Sequence, residues 1–125
     1  MAGESILVVD DNATNVKLAS FVLRRDGFAV SAVGNGEELM SRLSHTLPRL
    51  ILMDVQLPVT DGYELTRRLK ADPRTRDIPV VAFTSEALKG EEQRALSAGC
   101  CGYITKPINT RTFSSLIAGF LDKRS

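Results

Sequence analysis

A chain of 125 residues, 43% hydrophobic and 25% charged, fits one globular domain, expected to span 1–125 with a single core and no output domain. Sixteen basic against fifteen acidic residues leave a net charge of +1, which excludes a global field that would steer it to nucleic acid or a membrane surface. Cys100 and Cys101 are adjacent and no Cys/His cluster has zinc spacing, so neither a disulfide framework nor structural zinc is expected.

Short apolar runs occupy residues 6–9, 28–33, 50–53, 78–83 and 102–104, and stretches of helical period lie between them. This is the alternation of βα units that build a parallel sheet. The runs are continuous rather than alternating, so both faces of the central strands should be covered. The first helix presents Val16, Ala19, Val22 and Leu23 and stops before Gly27, a natural residue just past a helix end. The second carries Leu39 and Leu43. The third turns Leu65 and Leu69 inward, with Glu64 set to pair with Arg67 or Arg68 outside. The fourth, over 87–98, has the weakest stripe and contains Gly90, so it is expected to move most easily. The last has the fullest stripe, Phe113, Leu116, Ile117, Phe120 and Leu121, with Asn109 as its N-cap. Arginine groups at 24–25, 67–68 and 74/76 read as solvated surface. No signal-peptide pattern and no apolar run of membrane-spanning length is present, and two free thiols suit a reducing compartment, so the expected location is the cytoplasm.

The expected fold is α/β: a doubly wound, five-stranded parallel sheet with five helices. Such sheets place ligands at the carboxyl ends of their strands, so the residues that stop each run matter most. The first run stops on Asp10-Asp11, the third on Asp54, the fourth on Thr84 and the fifth on Lys106-Pro107, while the second offers only Gly34-Asn35-Gly36. One strand-end Asp would be an ordinary cap. Two acids, a third acid, a hydroxyl and a lysine on four neighbouring ends favour a site, with the mute strand at an edge and the order 2-1-3-4-5.

Three carboxylates on one rim repel unless protons or cations relieve them. Lys106 supplies one positive charge and Mg²⁺ the rest, because it takes oxygen ligands and few protein carboxylates. Asp11, Asp54 and a backbone carbonyl after Asp54, that of Gln56, are its candidate direct ligands, and Asp10 acts directly or through water. Phosphoryl transfer needs mainly positioning and charge stabilisation, and an Asp carboxylate can form an acyl phosphate. Asp54, central in the sheet, is the nucleophile candidate; Thr84 and Lys106 are placed to bind phosphate oxygens.

The set Asp10-Asp11, Asp54, Thr84 and Lys106-Pro107 resembles the receiver domain of two-component response regulators over essentially the whole chain. Within that family DDNATN, ILMDVQLPVTDG, VVAFTSEALKGEE and GCCGYITKPI are most similar to the DivK group of single-domain receivers. Receivers attached to hybrid histidine kinases and diguanylate cyclases share much of this wording. The resemblance implies the flavodoxin-like receiver fold, Asp54 as phosphoacceptor, and Asp10 and Asp11 as holders of Mg²⁺. It implies Lys106 as the phosphate-binding lysine, Thr84 as the switch hydroxyl, Tyr103 as the switch aromatic and a cis peptide before Pro107. Gln56 and Glu86 take the positions that flank the water path to the phosphoryl group and tune dephosphorylation. The implied partners are a sensor histidine kinase or phosphotransfer protein and a downstream protein target, with no nucleic acid and no membrane. The implied protein is no dedicated enzyme: it catalyses only its own phosphorylation and dephosphorylation, and signals through its fourth-helix, fifth-strand and fifth-helix face. Thr60 and Ser85 depart from the commoner Met and Ala of the family, both by small residues.

Rival readings fit less well. A haloacid-dehalogenase phosphatase needs a second acid where Gln56 stands. A nucleotide-binding module lacks a phosphate-binding glycine motif, since GNG at 34–36 is incomplete. A pseudo-receiver that binds partners without phosphorylation would not need every catalytic position filled. His45, the sole histidine, reads as a surface residue, and Cys100 and Cys101 as small residues leading into a strand. The oligomeric state is left open between monomer and weak dimer.

Overall fold

The computed structural model describes residues 3–57, 59–85 and 90–122. Each apolar run forms a strand and each periodic segment a helix. The order is β1 Ser5–Val9, α1 Ala13–Arg25, β2 Ala29–Val33, α2 Gly36–Leu43, β3 Leu50–Asp54, α3 Gly62–Ala71, β4 Val80–Thr84, α4 Glu91–Ala98, β5 Gly102–Thr105 and α5 Phe113–Asp122. The strands pair in parallel in the order β2-β1-β3-β4-β5, with the chemically mute β2 at an edge as expected. The register of β1 on β3 sets Ile6 beside Leu50 and Val9 beside Met53. The next residue of each strand, Asp10 and Asp54, therefore emerges at the same rim.

Strand side chains alternate between two cores. Ile6, Val8, Leu50, Leu52, Val81 and Phe83 pack with Ala19, Val22 and Leu23 of α1 and Phe113, Ile117 and Leu121 of α5. Leu7, Val9, Ile51, Met53, Val80 and Ala82 pack with Leu39 and Leu43 of α2, Leu65 and Leu69 of α3, and Ala95 and Ala98 of α4. With both faces covered, β1, β3 and β4 can be apolar up to their polar ends, and the rim that they carry is fixed on a rigid base.

The helix ends follow local chemistry. Asn12 caps α1 by accepting from the Asn15 amide at 3.0 Å, and Gly27, with φ +99°, takes the chain out of the helix. Some expectations needed correction. Asn109 does not cap the helix at its first residue: its side chain accepts from the Arg111 amide at 2.9 Å, opening a turn that runs into α5 at Phe113. Leu116 belongs to the apolar period yet is 47% exposed, because α5 meets the sheet through Phe113, Ile117 and Leu121. No ion pair joins Glu64 to Arg67 or Arg68 among the described residues. Arg24, Arg25 and Arg74 do more than face solvent, since they donate to the carbonyls of Val30, Thr110 and Leu43. The helical start expected at 87–89 lies outside the described residues, and α4 is seen from Glu91. Among the described residues no helix is long and apolar enough to cross a membrane.

Candidate phosphoacceptor site

Four strand ends build the site. Where β1 stops, the Asp10 amide still donates to Val33 of β2 at 3.0 Å, and Asp10 Oδ1 accepts from the Asn12 amide at 2.9 Å. That local turn buries Asp10, leaves Asp11 exposed on the rim and starts α1. Where β3 stops, Asp54 Oδ1 accepts from the Gln56 amide at 2.9 Å, and the residue is 4% exposed.

The loop after Asp54 folds back on itself. Gln56 and Asp61 form an antiparallel bridge, the Gly62 amide donates to Val55 at 3.2 Å, and Asp61 caps α3 by accepting from the Tyr63 amide at 2.8 Å. A Cβ on Gly62 would lie 2.2 Å from the Asp54 carbonyl oxygen. Only glycine lets α3 begin this close to the nucleophile candidate, which accounts for the Asp-Gly pair in the sequence.

Buried Thr84 ends β4 opposite Thr105 of β5, and the Lys106 amide donates to the Thr84 carbonyl at 2.7 Å. The Lys106–Pro107 peptide is cis. Lys106 extends over the Phe83 ring, 4.8 Å from its centroid, and brings Nζ to 2.9 Å from Asp10 Oδ2 and 3.5 Å from Asp54 Oδ1. Tyr103 lies opposite Ala82 in the β4–β5 register. It shares a sheet face with Thr84, two residues on from Ala82, and is half-buried against the core beneath α3 and α4.

Carboxylate oxygens of Asp10, Asp11 and Asp54 lie within 4.8 Å of one another. Burial, and secondarily the charge of Asp10, raises the Asp54 carboxyl above the ordinary range, against the lowering influence of the Gln56 amide and of Lys106. Asp10 Oδ2 is buried with no well-aligned hydrogen-bond donor, its neighbour being the Lys106 ammonium. Hard oxygen donors, excess negative charge and an incompletely satisfied carboxylate oxygen fit a divalent cation of the Mg²⁺ type.

Asp10, Asp11, Asp54, Gln56, Thr84 and Lys106 thus meet at one rim, with Tyr103 on the flank, while Glu86 lies outside the described residues. Sequence reasoning missed Tyr63, Glu91 and Arg94. Tyr63 donates its hydroxyl to Glu91, which is 6% exposed, and both border a cavity of about 330 Å³ that reaches Thr84 and Gln56. An acid in the first turn of a helix ordinarily reads as a solvated one, so nothing in the sequence marked this pair.

A model of the response regulator receiver domain matches residues 6–118. The polar-differentiation response regulator DivK of Brucella anthropi is 40% identical over 118 residues, which are 94% of this chain and 96% of that protein. Among solved structures, the receiver domain of the sensor histidine kinase PA1611 from Pseudomonas aeruginosa is 33% identical with a TM-score of 0.86, and covers 97% of this chain and 99% of its own. That structure has a magnesium ion coordinated in its active-site cleft. The receiver domain of a signal transduction histidine kinase from Syntrophus aciditrophicus is 35% identical with a TM-score of 0.87, covering 97% of this chain and 92% of its own. A family match over nearly the whole length, joined to the strand order and the acidic rim, makes this chain a member of the response regulator receiver domain family.

Proposed function

We propose that Asp54 is the phosphoacceptor of this cytoplasmic receiver, taking a phosphoryl group from a phosphohistidine of a sensor histidine kinase or phosphotransfer protein. In the transfer an Asp54 carboxylate oxygen attacks phosphorus, the P–N bond breaks, and the imidazole leaves and regains its proton. The observation that carries this reading is the convergence on Asp54 of Lys106 Nζ at 3.5 Å and of two further carboxylates within 4.8 Å. Asp10, Asp11, Asp54 and the Gln56 backbone carbonyl are the residues that would hold Mg²⁺. When bound, it neutralises negative charge on the carboxylates and the phosphoryl oxygens.

Lys106 pairs with one phosphoryl oxygen and the Thr84 hydroxyl donates to another. Tyr103, on the same face as Thr84, turns inward as that hydroxyl moves, and the α4, β5 and α5 face changes shape for a protein partner. Reversing a two-state equilibrium from 1:99 to 99:1 takes roughly 5.5 kcal/mol, within reach of several charge-assisted hydrogen bonds to a phosphoryl group. Gln56 and Glu86 tune the return to the free carboxylate. The protein is no dedicated enzyme and acts only on its own Asp54.

The test is incubation with a labelled phosphohistidine donor, or with acetyl phosphate, in the presence of Mg²⁺. Acid-stable, hydroxylamine-sensitive label in the wild type and none in Asp54→Asn is expected. Absence of label in the wild type, or equal label in Asp54→Asn, overturns the reading.

A further inference from the structure

Glu91 is a buried carboxylate that the phosphoacceptor chemistry does not use. It is the first residue of α4 and only 6% exposed. The hydroxyl of Tyr63, on the first turn of α3 and 2% exposed, donates to its Oε1. One turn further along α4, Arg94 sets Nη1 3.7 Å from Glu91 Oε2 and its guanidinium carbon 4.9 Å from the centroid of the Tyr63 ring. The three side chains form a closed unit joining two helices. Burying a carboxylate is costly unless partners hold it, and these partners come from α3 as well as α4.

The position of the unit gives it a consequence. Gly90, with φ +91°, precedes α4 and offers no side-chain cap, and of the two first-turn acids, Glu91 and Glu92, it is Glu91 that links to α3. Burial first, and the bond to Glu91 second, push the Tyr63 phenol upward, so it remains a donor across the working pH range. Tyr63 and Glu91 line the same cavity, about 330 Å³, as Thr84 and Gln56. A shift of the Thr84 hydroxyl toward Asp54 alters one wall of that cavity, of which Tyr63 and Glu91 form another.

We propose that the Tyr63–Glu91 tie is a latch that holds the first turn of α4 in its resting arrangement and sets the threshold at which modification of Asp54 repositions that helix. The proposal rests on the reading of Asp54 as phosphoacceptor. If α4 leaves this arrangement the tie breaks, so removing the tie reduces what the modification must supply. Tyr63 and Glu91 act as positioning residues, since neither touches the phosphoryl group.

Tyr63→Phe removes the donor and keeps the ring under Arg94; Glu91→Gln keeps an acceptor and removes the charge. Wild type and both variants are titrated with beryllofluoride at saturating Mg²⁺, with amide exchange followed over residues 91–98 and thermal unfolding measured alongside. Tyr63→Phe is expected to bind beryllofluoride about tenfold more tightly, equivalent to about 1.4 kcal/mol. Its exchange over 91–98 without beryllofluoride is expected to rise toward the level of the loaded wild type. Glu91→Gln shifts the same way by less, and carries the test alone if Tyr63→Phe does not fold. A variant that melts lower but binds with unchanged or weaker affinity shows a packing contact and overturns the latch. A wild type that does not respond overturns the reading of Asp54 and the latch together, whereas a responsive wild type with an unshifted variant overturns the latch alone.

Discussion

Lys106 reaches past the ends of β4 and β3 to put its ammonium 2.9 Å from Asp10 Oδ2, closer than its 3.5 Å approach to Asp54. The lysine therefore offsets part of the negative charge of the two buried acids. Lys106→Met would leave both without their cation, a change that typically costs about 3 kcal/mol for a buried pair. Guanidinium unfolding at pH 7 should show that loss, and the difference from wild type should shrink on acidification as the raised Asp54 carboxyl takes up its proton.

Asp54 itself opposes folding at neutral pH. Its carboxyl is raised above the ordinary value, chiefly by burial, so the native chain holds this proton to higher pH than the unfolded chain does. Stability from this group is greatest below the ordinary Asp range and falls as pH rises through the raised native value. Asp54→Asn, which keeps an oxygen to accept from the Gln56 amide, is expected to melt a few degrees higher than wild type at pH 7. The gap should close toward pH 4, as thermal unfolding across pH will show.

Magnesium should act in the opposite sense to that burden. A cation bound only by the native chain stabilises it by RT ln(1 + [L]/Kd), about 2.7 kcal/mol at a hundredfold excess over Kd. Wild-type protein should melt higher with added Mg²⁺ and return to its starting midpoint with EDTA. Asp11 is exposed, so Asp11→Ala should change metal-free stability by no more than about 0.5 kcal/mol while removing most of the gain from Mg²⁺. An equal gain in the variant would refute its role as a ligand.

Gly62→Ala tests the loop geometry. The added methyl would sit 2.2 Å from the Asp54 carbonyl oxygen and 2.8 Å from Val55 Cα, both backbone atoms that cannot rotate away. Overpacking of this kind typically costs about 1–3 kcal/mol. Because the relief must displace the chain next to Asp54, slower phosphorylation by acetyl phosphate is expected along with the lower unfolding midpoint.

What was legible in the sequence was whatever a strand end declares locally. An apolar run that stops on Asp54 or Thr84 gives both the strand and the direction of its last side chain, and the silence of Gly34 places β2 at the edge. Less local relations were hidden. Leu116 carries the helical period but α5 is rotated enough to expose it. Arg74 looks like a solvated charge until the fold brings it to the carbonyl of Leu43. Glu91 looks like an ordinary first-turn acid until α3 lays Tyr63 over it. Each of these depends on which helix lies beside which, and side-chain period does not encode that.

The adjacency of β1 and β3 makes the site a product of folding rather than of composition. Asp10 and Asp54 reside on segments that α1, β2 and α2 separate along the chain, and they become neighbours only when β1 and β3 pair. An unfolded copy carries the same acids without their juxtaposition, so it lacks the cluster on which the proposed chemistry of Asp54 depends.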